Sequence, residues 1–277
     1  MADSNSKYDQ SAPGVIERLL QRDRAIVFCA LGGVTLLAAI YTMFGVGMNM
    51  SAFEMTRMSG PLGRAMDMGA PPGWNFPYAA LIFLMWWLMM IAMMTPSTAP
   101  TLLLFAALKR QGPESARVPS LVAVFLMGYL LCWAGFSVAA TALQWALQGA
   151  KLFEPGMMIV RSRALSGVIL LATGAYQFSW LKRACLNSCK SPTQFLTTHR
   201  GTGYSGALSV GFWHGLYCLG CCWGLMALLF VGGIMNLYWI LGLALLVTAE
   251  KLFPRKAFVS HLIGAVLLVA GFLVLTT

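Results

Sequence analysis

The sequence predicts an all-α integral membrane protein of about seven transmembrane helices with a cytoplasmic N-terminus. Three observations lead there. Of the 277 residues, 58% are hydrophobic and 10% charged, against about 25% charged in an ordinary soluble domain. The chain therefore lacks the polar coat that water requires, and its mean hydropathy of +0.72 agrees. Its apolar residues fall in runs near the roughly 20 residues that a helix needs to cross the hydrocarbon core. Those runs lack the two-residue alternation of strands. Lys and Arg, finally, are unevenly divided among the segments between the runs. Disorder is excluded by the apolar content, and seven Cys are too sparse for a small disulfide-stapled fold.

Seven runs qualify, at 25–46, 78–108, 119–147, 164–181, 205–231, 236–249 and 257–275. The first follows a polar segment, residues 1–24, that carries no small-residue cleavage site, so it reads as a permanent anchor rather than a signal peptide. The second and third are long enough to tilt or to end in the interface. The sixth is short, and Gly232-Gly233 before it suits a tight turn between antiparallel helices. Residues 25–277 form one bundle, with an outer Met-rich loop at 47–77 and a cytoplasmic Cys loop at 182–204. With the N-terminus inside, the inner segments hold 14 Lys and Arg (among them Arg18, Arg22, Arg24, Lys109, Arg110, Lys182, Arg183 and Lys251) and the outer segments five. The net charge of +10 is thereby a topology signal. Lipid, not nucleic acid, is the expected surrounding.

The strongest chemical signal lies in the fifth run, His214-Gly215-Leu216-Tyr217-Cys218-Leu219-Gly220-Cys221-Cys222-Trp223. At about 100° per residue, Cys218 falls roughly 40° from His214 and Cys221 roughly 20° on its other side. One helix face thus presents an imidazole and two thiols, with Cys222 flanking. Gly215 and Gly220 let a neighbouring helix approach closely. A single Cys in a bundle is ordinary packing, but His-x3-Cys-x2-Cys-Cys at bilayer depth is a metal-ligand pattern.

Methionine forms the second pattern. Met43, Met48, Met50, Met55, Met58, Met66 and Met68 crowd the outer side of the first connection. Thioethers exposed there would oxidise, and they suit a soft, labile entrance for a metal ion; a lipid-facing interfacial segment is the plainer reading. In the second run Met85, Met89 and Met93 make a stripe at four-residue spacing, with Met90 and Met94 beside it. Met also fills irregular cores. Pro96 removes the donor that the Ala92 carbonyl would receive, and Pro100 repeats the effect one turn on, so a kink is expected beside the proposed site.

Cys185 and Cys189 follow the fourth run at i, i+4, flanked by Lys182, Arg183, Lys190 and more distantly Arg200. They are candidates for an inner exit or a redox pair. Glu250, beside the end of the sixth run, is expected to tie to Lys251 or Arg255. His199 and His261 have no assigned part. No phosphate-binding glycine loop, nucleophile elbow or His-Glu-x-x-His is present. None of the nine acids lies mid-run, which disfavours a carboxylate proton relay.

The patterns Met85-Trp86-x3-Met90-x2-Met93-Met94-x-Pro96-x3-Pro100, Leu181-Lys182-x2-Cys185-x3-Cys189-x-Ser191-Pro192 and His214-Gly215-x2-Cys218-x-Gly220-Cys221-Cys222-Trp223 together resemble the predicted metal-binding integral membrane proteins, a bacterial domain family of unknown function. Leu20-x-Arg22-Asp23-Arg24 and Glu250-Lys251-x2-Pro254 match as well. The similarity covers nearly the whole chain. It implies a metal-binding bundle in a bacterial inner (cytoplasmic) membrane.

Thiolate with thioether selects Cu(I) over hard cations, whereas His and Cys alone would also suit zinc. The expected function is Cu(I) capture, transport or delivery. Copper would enter at Met48, Met50, Met55, Met58, Met66 and Met68 and pass Met89, Met93 and Met94. It would then be held at His214, Cys218, Cys221 and Cys222. A membrane or periplasmic metalloprotein is the expected partner. The sequence favours a non-enzymatic role. The alternatives are a subunit of a membrane copper oxidoreductase, with a pocket lined by Trp86, Trp87, Trp133, Trp213 and Trp223, and a structural subunit without metal.

Overall fold

A computed structural model describes residues 11–44, 51–59, 73–154, 158–252 and 256–276. Helices account for nearly all of it: α1 Ser11–Phe44, α2 Ala52–Ser59, α3 Phe76–Arg110, α4 Val118–Gly149, α5 Arg163–Gln177, α6 Trp180–Lys190, α7 Pro192–Thr198, α8 Gly203–Ala227, α9 Leu229–Gly232, α10 Leu237–Leu252 and α11 Lys256–Thr276. Five segments are long and apolar enough to cross a membrane: Val27–Phe44, Phe76–Arg110, Ser115–Gly149, Gly203–Gly232 and Phe258–Thr276. A sixth is reached only if α5 and α6, bent 63° from one another, form one broken span. The expected seventh corresponds to α10. Its 16 residues make about 24 Å of helix, short of the roughly 30 Å core. Two short strands, Phe153–Glu154 and Ile159–Val160, pair antiparallel in the connection after α4, where the sequence analysis expected no strand.

Side-chain caps set several helix starts. Asn75 accepts from the Tyr78 amide at 2.9 Å, Ser162 from Leu165 at 3.3 Å, and Ser179 from Lys182 at 3.1 Å, each satisfying one orphan amide of a first turn. Ser51 and Glu54 cap α2 reciprocally: the Ser51 amide donates to Glu54 at 2.9 Å and the Glu54 amide to Ser51 Oγ at 3.2 Å. Gly233, at φ 97°, makes the turn into α10 that the Gly232-Gly233 pair suggested. α3 runs as one helix across Pro96 and Pro100.

α8 is the central element, packed on α4 along one face and on α6 along another. Close approach explains both contacts. A Cβ on Gly211 would stand 1.9 Å from the Phe125 carbonyl oxygen, and one on Gly215 would stand 2.7 Å from Cys132 Cβ. Toward α6, a Cβ on Gly220 would stand 2.6 Å from Cys185 Sγ. α3 packs on α4 with α1 outside it, and α5 pairs with α11. The outward faces are apolar: α11 exposes Phe258, Leu262, Val266, Val269 and Phe272, a stripe at helical spacing with no protein cover. A soluble helix would present polar residues there.

Ionic contacts join elements far apart in sequence at two places. Between the α3–α4 connection and the start of α8, the Glu114 carboxylate accepts from the Gly203 amide at 2.6 Å and from the Lys109 ammonium, which also donates to the Gly201 carbonyl at 2.8 Å. Lys109 and the Gly203 amide hold the Glu114 carboxyl below the usual carboxylate range. Deeper in the bundle, Lys182 Nζ lies 2.8 Å from both carboxylate oxygens of Glu250, with both side chains buried. Lys182 is thus not an exposed flanking cation, and Glu250 does not make its tie to Lys251. The i, i+1 spacing points consecutive helical side chains apart, which leaves Glu250 free to face α6.

Two outcomes are expected. A depressed Glu114 pKa stabilises the fold above the carboxyl's unfolded value, and that contribution is lost as pH falls through the folded value. Thermal unfolding in detergent from about pH 6 to about pH 3 should therefore show an acid-induced loss that Glu114→Gln blunts. Lys182→Met leaves a buried carboxylate unpaired and should cost about 3–5 kcal/mol. Lys182→Met/Glu250→Leu should recover most of that loss in the same assay.

Candidate metal centre

Three thiols come from α8. Cys218, Cys221 and Cys222 are each 1% exposed, on the face predicted from their spacing. The Cys221 and Cys222 thiols both donate to the Cys218 carbonyl, each at 3.0 Å. These bonds turn their sulfurs back along the helix toward Cys218. A fourth thiol arrives from α6. The Ser179 cap restarts the helix after the 63° bend, and α6 then lies against α8. Cys189, nearly three turns along α6, packs against the buried cluster that contains Cys218, Cys221 and Cys222. Cys185, one turn earlier, packs against Gly220.

The structure therefore brings together two motifs that the sequence analysis kept apart. Cys185 and Cys189 lie on helix α6 and pack against α8 and its cluster. All seven cysteines are free. Among the described residues, no group of three or more His, Cys, Asp or Glu side chains is arranged as a finished metal cage. The Cys221 and Cys222 thiols are instead held to the Cys218 carbonyl.

Around Cys218 runs a polar chain that the sequence analysis missed. Lys251 Nζ, from the last turn of α10, lies 3.1 Å from Cys218 Sγ and donates to Ser97 Oγ at 2.8 Å. Ser97 donates to the Met94 carbonyl at 2.8 Å. Tyr129, from α4, donates to the same carbonyl at 3.0 Å and places its oxygen 3.3 Å from Cys218 Sγ. The accounting closes: Met94 O accepts twice, Ser97 gives one bond and takes one, and Cys218 sulfur meets an ammonium and a phenol. The turn of α3 beside Pro96 is thus joined to the thiols through two side chains. The available signal is a Lys just after the short sixth run. It counts among the inner cations and as a partner for Glu250, because nothing in the sequence places Ser97 opposite it.

His214 sits one turn before Cys218 and is 3% exposed. Its ring lies among Phe195, Tyr129 and Phe125, at centroid distances of 5.2, 5.8 and 6.0 Å, and its buried Nδ1 has no hydrogen-bond partner among the described residues. The other imidazoles lie apart from the thiols: His199 stacks on Phe195 at 4.7 Å and His261 on Phe178 at 5.1 Å.

Met85, Met89, Met90, Met93 and Met94 are all at most 5% exposed, and they share one continuous buried cluster with Cys218, Cys221 and Cys222. Of the proposed entrance, Met48, Met50, Met66 and Met68 lie outside the described residues. Met55 and Met58 fall on α2, and their side chains are outside the described set. The tryptophans do not line one pocket. Trp86 and Trp133 are buried against Phe136, while Trp213 and Trp223 are exposed.

Neither curated proteins nor solved structures match the chain. A family model described as copper chaperone, PpoB2, matches residues 83–274. That stretch contains the buried methionines, both Cys motifs, His214 and Lys251, and it spans more than two thirds of the chain. The protein belongs to this copper chaperone family.

Proposed function

We propose that the protein is a membrane-embedded copper chaperone that holds Cu(I) on the thiols between α6 and α8 and delivers it to a metalloprotein partner. The observation that carries this reading is the packing of Cys185 and Cys189 of α6 against the buried methionine-rich cluster that holds Cys218, Cys221 and Cys222 of α8, two motifs nearly thirty residues apart in sequence. Thiolates backed by thioethers are the donor set that prefers a soft monovalent ion. The buried, unpartnered His214 Nδ1 supplies a further donor within one turn.

Ligand protons decide how the site changes from its hydrogen-bonded arrangement to a binding one. The S–H groups of Cys221 and Cys222 hold their sulfurs to the Cys218 carbonyl. A thiol that loses its proton to become a ligand also loses that bond. Its χ1 is then free to turn toward the incoming ion, with no backbone movement. The methionines of α3 give a weaker, exchangeable set of donors beside the thiols, and hence a way in without competing for the cargo. The surrounding bilayer, the cytoplasmic N-terminus and the bacterial inner membrane rest on the apolar helices, the division of Lys and Arg and the sequence resemblance. Residues 47–77 are the proposed mouth.

The enzymatic alternative gains nothing from the geometry, because the imidazoles pack on aromatic rings, His199 and His214 on Phe195 and His261 on Phe178, and the tryptophans are dispersed. Purification in detergent under reducing conditions, followed by metal analysis by mass spectrometry, tests the proposal. Wild-type protein should carry close to one copper per chain. Cys218→Ala/Cys221→Ala should carry none, and Cys189→Ala should lose copper to a competing chelator about 10- to 100-fold more readily. Met89→Leu/Met93→Leu/Met94→Leu should slow loading while leaving the final copper content unchanged. Zinc in wild type, or copper retained by the double Cys variant, would overturn the assignment.

A further inference from the structure

Lys251 is a cation without a carboxylate. Its neighbour Glu250 is committed to Lys182 through both oxygens. Among the described residues the ion pairs are Lys109–Glu114, Arg161–Glu154 and Lys182–Glu250. Lys251 instead faces Ser97 Oγ at 2.8 Å and Cys218 Sγ at 3.1 Å. The groups around it from other elements are Tyr129 of α4, Cys189 of α6 and Cys218 and Cys221 of α8. None of these groups is a carboxylate, so among the described residues the buried ammonium is answered by a hydroxyl and by sulfur. A charge at that depth is costly unless something answers it.

We infer that Lys251 is the built-in counter-charge of the thiol site and sets its preference for a monovalent ion held by two thiolates. This rests on the thiol site proposed above. Binding follows Cu(I) plus two thiols giving a bis-thiolate complex of charge −1, with two protons released. With the Lys251 ammonium beside it, the assembly is neutral. A divalent ion on the same two thiolates is neutral by itself, and Lys251 would then leave an excess charge of +1. In a medium of low dielectric the neutral assembly is strongly favoured. Lys251 touches Cys218 rather than the ion, so it acts as a specificity-setting residue and not as a ligand. Serine suits its second contact: Ser97 fixes the ammonium without adding a charge that would cancel it.

The test compares two metals on the full chain in detergent, reduced and anaerobic. Cu(I) affinity is read by competition with a chromophoric chelator, and Cd(II) affinity by thiolate charge-transfer absorbance. Lys251→Met should weaken Cu(I) about 10- to 100-fold and leave Cd(II) binding equal or tighter. Lys251→Arg should keep the wild-type ratio. Lys251→Gln, which retains a donor for Ser97 without the charge, should behave like Lys251→Met and covers the case in which that variant does not fold. Unchanged Cu(I) affinity in the neutral variants would overturn the inference. So would an equal fall for both metals, the mark of a merely structural lysine. A wild-type protein that binds neither metal would overturn the thiol site itself and the inference with it.

Discussion

Everything else in this molecule depends on how closely α8 can be approached. Its glycines leave backbone open on two faces, so that α4 closes at Gly211 and Gly215 and α6 closes at Gly220. Helices in lipid gain little from the hydrophobic effect on meeting one another, and contact of this closeness supplies the packing that replaces it. The cost of the arrangement is that α8 has little of its own side-chain bulk there to exclude polar groups. Cysteine, small and polarisable, fills the remaining space. The same constraint that permits the fold therefore places sulfur at its centre.

Charge then decides what that centre can hold. Three ionisable side chains, Lys182, Glu250 and Lys251, come from the ends of α6 and α10, two of them in a closed ion pair. The third turns to sulfur. A buried pair of this kind contributes little net stability, but it fixes α6 relative to α10 and so presents Cys189 and Lys251 to α8 from opposite partners. Structural and chemical roles are divided between adjacent residues, Glu250 for position and Lys251 for charge. The helical spacing of consecutive residues makes that division possible.

Much of this was legible beforehand, and for identifiable reasons. Composition and run length are enough for an all-α apolar bundle, because only helices and closed barrels satisfy the backbone in lipid and these runs lack the alternation of barrel strands. The facing of Cys218, Cys221 and Cys222 follows from helical periodicity alone. Gly215 and Gly220 mark the close approaches for the same reason. What sequence could not show is anything requiring two elements to meet. Cys189 reads as cytoplasmic because the bend at Phe178–Ser179, which folds α6 back along α8, has no strong local signal beyond the Ser179 cap. Lys182 and Lys251 count as topology-setting surface charges until their partners on other helices are seen. The shortness of α10 is visible in the sequence but ambiguous, since a 16-residue apolar helix suits either a thin span or a buried one.

The central claim is that copper is held by sulfur contributed from both α6 and α8. X-ray absorption at the copper edge of the Cu(I)-loaded protein tests it most directly, because the spectrum counts sulfur neighbours and distinguishes them from nitrogen or oxygen. The account predicts a sulfur-dominated shell of about two or three neighbours, with one fewer, or a nitrogen in its place, in Cys189→Ala. A shell of nitrogen and oxygen, or one that Cys189→Ala leaves unaltered, would contradict it.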